Sequence, residues 1–140
     1  MSKKILIVDD EPNIVMSLEY TFKKNDFEVF IDPMGDGEQY FEIEINVLGT
    51  IMDLFMNKPY KKGGTFDMGW NTTGIQSKVI ANGTINDNSD IDRGWTVEMA
   101  IPFTAISKAQ RAATPSFNKP WRINFSRVQW TLEPDGISYR

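Results

Sequence analysis

Carboxylates are the side chains here with the most chemical reach. Glu42 and Glu44 alternate along Tyr40-Phe-Glu-Ile-Glu-Ile-Asn46, which puts both on one face of a strand, about 6.5–7 Å apart at Cα. Glycosidases use carboxyl pairs about 5–9.5 Å apart. Neighbours on one strand do not flank a bond from opposite sides, so this pair points away from hydrolysis and the chain reads as a non-enzyme. A second set is Asp9, Asp10 and Glu11, directly after the apolar run Ile5–Val8. Carboxylates at a strand's end are hard oxygen ligands of the kind Mg²⁺ takes. Two further acidic turns, Asp32–Asp36 and Asp87–Asp92, could give oxygen ligands to Ca²⁺. Neither has EF-hand spacing, and both also read as turns closed by Asx-type hydrogen bonds. The chain has no histidine and no cysteine. That excludes a Ser-His-Asp triad, imidazole and thiolate metal sites, cysteine catalysis and a disulfide scaffold.

Aromatic residues are the other resource: four tryptophans, four tyrosines and nine phenylalanines. Sugars present flat C–H faces rimmed by hydroxyls, so a sugar site wants exposed rings together with carboxylate, amide or guanidinium groups. Trp70, in a polar loop beside Asn71, is the first stacking candidate and Trp130 the second. Glu44, Asn46 and Arg127 are the directed partners. Trp95 alternates with Val97 and Ile101 and reads as core, whereas Trp121 divides between core and surface. Arg122, Asn124 and Ser126 share one strand face.

The elements that must position these groups fall into two parts. Residues 1–24 form a strand–helix segment: Ile5–Val8, an acidic turn, Pro12, then Ile14, Val15, Leu18 and Phe22 at helical spacing. From Asn25 the period becomes two. Phe27, Val29 and Ile31 alternate, then Phe41, Ile43 and Ile45, with Glu42, Glu44 and Asn46 on a polar face. Strands are also predicted over 49–55, 75–81, 95–101 and 121–130, with a Pro/Gly loop at 58–64 and a short helix over 103–113. Many short strands separated by turn signals give a mostly β fold, an antiparallel β-sandwich. Residues 1–24 and 25–140 are expected to form one structural unit.

Two resemblances follow from these stretches. Lys4-Ile-Leu-Ile-Val-Asp-Asp-Glu-Pro12, with Phe27–Phe30, resembles the start of a two-component response-regulator receiver domain. That resemblance implies Mg²⁺ held by Asp9 and Asp10 beside a phosphoaccepting Asp53. The rest of the pattern departs from it: Ile101, not lysine, precedes Pro102, and the alternation of helices and strands stops after residue 30.

The body of the chain resembles the family 9-like carbohydrate-binding modules. The matching stretches include Asn25–Pro33, Tyr40–Asn46, Met52-Asp-Leu54, Lys58-Pro-Tyr60, Gly83–Asp87, Asp92–Pro102 and Trp121–Arg127. The resemblance implies a β-sandwich that binds a polysaccharide or oligosaccharide without cleaving it, with no required cofactor and Ca²⁺ as a structural option. Such modules carry further strands before Asn25 and after residue 140, so the sandwich is expected to be incomplete. The two patterns overlap at Asn25–Asp32, which makes a composed chimera with neither activity a third reading.

A net charge of −4 gives no general attraction for nucleic acid or an anionic membrane, and neither is expected as a partner. No apolar run approaches the roughly 18–20 residues of a membrane-spanning helix, and the apolar run at Ile5–Val8 is too short for a signal-peptide core. Localisation stays open: the sugar-module resemblance implies an extracytoplasmic protein, the receiver resemblance a cytoplasmic one. The oligomeric state is equally open.

Overall fold

The structure, a computed structural model, describes residues 25–85, 91–108 and 120–129. The segment 1–24 with Asp9 and Asp10, residues 87–90 of the second acidic turn, residues 109–113 of the predicted helix, and Trp130 lie outside the described residues.

Period-two alternation builds seven strands: β1 (Asn25–Asp32), β2 (Tyr40–Asn46), β3 (Ile51–Met56), β4 (Phe66–Asp67), β5 (Gln76–Asn82), β6 (Gly94–Ala100) and β7 (Arg122–Gln129). Five of them form an antiparallel sheet in the order β4-β3-β2-β1-β7, and β5 and β6 form a separate hairpin. Every strand pairing among the described residues is antiparallel. The fold is thus mostly β and sandwich-like, and it is not closed. The predicted strands hold with boundaries shifted by a residue or two. Only β4 went unforeseen, since two residues carry no period to read. The predicted helix over 103–113 begins as a 3₁₀ helix, Phe103–Lys108. No helix among the described residues is long and apolar enough to cross a membrane.

Leu54 and Met56 are buried on one face of the large sheet, and the main hydrophobic cluster lies on the other. Val29, Ile31, Phe41 and Ile43 are buried there, and Trp70 and Ile106 join them from the connecting segments. Met99 and Ile101, on and just after β6, and Ile75, just before β5, pack against this cluster. Trp70 is 3% exposed. Its ring centroid lies 4.7 Å from that of Phe41, and its indole N–H donates to the Ala105 carbonyl at 3.2 Å. A buried tryptophan needs such an acceptor, because its one polar atom would otherwise lose its water without compensation.

Two side chains tie the turns. The Asn46 Oδ1 accepts from the backbone N–H groups of Leu48 and Thr50, both at 3.0 Å, closing the β2–β3 turn in which Gly49 takes φ 77°. The Asp53 Oδ2 accepts from the Thr72 N–H at 2.6 Å, fastening the Trp70 segment to β3.

A cleft at the aromatic end of the sheet face

The strand register arranges the second face of the large sheet in rows, because alternate residues point to one side and paired residues stand abreast. At one end Met56 stands beside Tyr40 and Asp32 beside Arg122. The next row is Leu54, Glu42, Phe30 and Asn124, and the third is Met52, Glu44, Glu28 and Ser126. The last is Asn46, Asp26 and Val128. One end of the face is therefore aromatic and the other acidic.

The acidic end gathers Asp26, Glu28 and Glu44, whose carboxylate oxygens lie within 4.8 Å of one another. Asp26 and Glu44 are buried, and so is Glu42 in the neighbouring row. The sequence placed Glu42 and Glu44 on the polar face of a half-buried strand; β2 is buried on both sides. Leu54, Met52 and Phe30 share that face with its carboxylates. The oxygen set is of a type that suits a hard cation such as Ca²⁺ or Mg²⁺.

The aromatic end opens into a cleft of about 570 Å³. Phe30, Tyr40 and Trp121 line it, together with Arg122, Asn124 and Asp32, and the 33–39 and 57–60 loops contribute Gly37 and Pro59. Phe30 and Tyr40 lie 6.3 Å apart at their ring centroids, tilted by 55°. Trp121 packs one side against the core and holds Phe103 edge-on at 5.5 Å, so it spans core and cleft.

Asp32 looks available for chemistry and is not. Its Oδ1 accepts from the N–H groups of Met34 at 3.1 Å and Gly35 at 2.8 Å, and its Oδ2 from that of Gly37 at 2.7 Å. This is the Asx-type turn the sequence allowed, with Gly35 and Gly37 supplying φ of 70° and 77°. Gly35 lies against Arg122: a Cβ there would stand 4.0 Å from its Cγ and Nε. Arg122 and Asn124 are exposed, and among the described residues neither side chain makes a hydrogen bond or ion pair.

Tyr60, from the loop after β3, reaches over this face. Burial against the sheet, then the charges of Glu42, Tyr40, Glu44 and Glu28, push its phenol up to about 12. The ring keeps 52% of its surface open, so those surrounding charges act through partly wet space. Burial and Glu42 also raise the Tyr40 phenol.

The residues chosen from sequence are not brought together. Trp70 cannot be a stacking platform, because both its faces are in the core. Glu44 and Asn46 share the cleft's face but stand at its acidic end, and Asn46 spends its carbonyl on the turn. Arg127 stands opposite Phe27 on the core-side face, at the far end of β7. Trp130, Asp9 and Asp10 lie outside the described residues. Asp53 sits mid-strand opposite Ile43, between antiparallel neighbours. Among the described residues, those paired with it do not build the strand-end position beside other carboxylates that the receiver resemblance implies. Phe30 and Tyr40 were passed over as site residues; Arg122 was read with Asn124 and Ser126 as a polar set on one strand face, and the register puts that set on the face of Glu42, Glu44 and Asn46. The signal available for Phe30 and Tyr40 was position: each stands at or next to a strand end where a Gly/Pro-containing loop begins or finishes.

No protein-family model, no curated protein and no solved structure matches this chain.

Proposed function

We propose that this protein is a noncatalytic carbohydrate-binding β domain whose site is the cleft at the aromatic end of the sheet. The observation that carries the reading is the pairing of partly open rings, Tyr40, Phe30 and Trp121, with a guanidinium and an amide that have no partner among the described residues. Pyranose rings need that combination: apolar faces for the C–H groups, and directed donors or acceptors for the hydroxyls. A cleft preformed by three strands and two tied turns also limits the ordering cost of binding.

Binding without cleavage fits the same geometry. Glycoside hydrolysis needs two carboxyl groups across the scissile bond. Asp32 is the one acid lining the cleft among the described residues, and both its oxygens already accept backbone N–H groups.

The test is a ¹H–¹⁵N spectrum of the whole chain titrated with soluble pyranose oligosaccharides, xylo- and cello-oligosaccharides alongside acidic ones. Shifts are expected at the Trp121 indole and the Asn124 side-chain amide, with the Trp70 indole still. A response at none of these with any sugar, or at Trp70 alone, would refute this site.

A further inference from the structure

The main hydrophobic cluster spans β1, β2 and β3 and stops short of β7. Val29 and Ile31 are each 4% exposed, yet Phe125 and Ile123, which stand abreast of them on the same face, are 63% and 52% exposed. Phe27 stacks on Phe125 at 5.8 Å, which extends the apolar strip back to the start of β1. β7 is also the last strand of the sheet. Among the described residues its outer edge pairs with no strand, and an eight-residue edge with apolar side chains is a template for one.

Position and pattern both single out residues 1–24 as the occupant. They enter the sheet at Asn25, which stands abreast of Gln129 in β7. Ile5–Val8 has the length and composition of a buried strand, and the sixteen residues 9–24 separate it from β1. That is enough for the helical crossover that joins two parallel strands. A strand parallel to β1 is antiparallel to β7 and so fits its open edge.

The hand of that crossover decides which face the helix covers. The Asn46 N–H donates to the Thr50 carbonyl, so even-numbered residues of β2 turn their peptide groups toward β3 and odd-numbered ones toward β1. By the register, Val29 and Ile31 then turn theirs toward β2. For L-residues this puts β7 to the left of β1 when the face of Val29 is viewed with β1 pointing up. A right-handed crossover to β1 from a strand left of β7 passes in front of that face, over Phe125 and Ile123. Ile14, Val15, Leu18 and Phe22 make one helical stripe, the apolar partner those two side chains lack. The same chain direction carries Asp9, Asp10 and Glu11 to the end of the sheet where Arg122 is exposed, so opposite charges meet. Arg122 has five N–H donors, and a carboxylate beside it leaves others for a ligand.

We infer that residues 5–22 complete the sheet: Ile5–Val8 pairs antiparallel with the outer edge of β7, and the helix that follows lies across Phe27, Phe125 and Ile123. This completion is independent of what the cleft binds.

Amide hydrogen exchange of the full chain tests the pairing. The register turns even-numbered residues of β7 toward β1, so the N–H groups of Ile123, Phe125 and Arg127 point to the outer edge. They are expected to exchange about tenfold or more slowly than in an unstructured chain. Ile7→Pro should abolish that protection, while the amides between β1 and β2 keep theirs. The chain has no cysteine, so a nitroxide on Ser17→Cys reads the helix alone: it should broaden the amide signals of β7 and leave those of β4 sharp. Free exchange at all three amides in the unsubstituted chain overturns the inference, whatever Ile7→Pro does to folding. So does protection that survives Ile7→Pro, or a label that leaves β7 sharp. Protection that appears only as the protein is concentrated, with sedimentation giving a dimer, assigns the edge to a second copy and overturns it too.

Discussion

Replacing Trp70 by phenylalanine separates a structural tryptophan from a sugar platform. In the structure the indole N–H bonds the Ala105 carbonyl at 3.2 Å, and the ring lies against Phe41 with 3% of its surface exposed. Phenylalanine keeps a ring against Phe41 and removes the donor. Losing that bond, with a buried carbonyl left unpaired, costs about 1–3 kcal/mol. The smaller ring adds a cavity term of about 24 cal/mol per Å³ of space left empty. The sum is about 2–4 kcal/mol for Trp70→Phe, and Trp70→Ala should cost about 3–5 kcal/mol. Urea unfolding followed by circular dichroism should show the midpoint falling with the slope unchanged. Sugar affinity of the phenylalanine variant, measured where it is still folded, should match that of the wild type. If Trp70→Phe kept full stability, within about 0.5 kcal/mol, and lost sugar binding, the placement of Trp70 in the core would be wrong.

Two further outcomes follow from groups bordering the cleft. Asp32→Ala leaves the N–H groups of Met34, Gly35 and Gly37 without their carboxylate, and should cost about 2 kcal/mol or more by urea midpoint; Asp32→Asn should fall between it and wild type. The Tyr60 phenol is raised from 10.0 to about 12. Below the ordinary value both the folded and unfolded states hold the proton, so nothing is lost; between pH 10 and about 12 only the unfolded state releases it, and stability declines. Phenolate absorbance should show Tyr40 and Tyr60 both titrating above the ordinary value; Tyr60→Phe should remove the later of the two, and that variant should lose less stability across the same interval. Titration of every tyrosine near the ordinary value would contradict the placement of Tyr60 over the carboxylates.

Strand positions were legible because alternation is a local signal. Phe27, Val29 and Ile31 announce β1, and Phe41, Ile43 and Ile45 announce β2, whatever the rest of the chain does. The acidic turn Asp32–Asp36 was legible for the same reason, since aspartate followed by glycines meets its own backbone within five residues. The candidate site was not. Trp70 stands among polar neighbours in sequence, and its burial depends on the Ala105 carbonyl, 35 residues away. Arg122 and Arg127 belong to one predicted strand, and which of them meets the aromatic rings is not local information. An odd separation along one strand sends them to opposite faces, and the pairing of β7 with β1 decides which of those faces meets Tyr40. Glu44 was read on the polar face of a half-buried strand because its alternation is clean. Alternation shows which residues share a side, but not whether that side is wet, and both sides of β2 are buried.

The order of strands also says when the cleft comes into being. β1, β2 and β3 follow one another closely and can zip as a meander, which requires only short loops to close. β7 joins from the far end of the described chain, pairing Asn25 with Gln129, and contacts of such sequence separation form late because the loop entropy must be met first. Phe30 and Tyr40 belong to the early meander; Trp121, Arg122 and Asn124 arrive with the late strand. A sugar spanning both halves would clasp the last strand to the first ones. Its effect on kinetics should then fall on unfolding, with bound glycan slowing the departure of β7 and leaving the rate of folding unchanged.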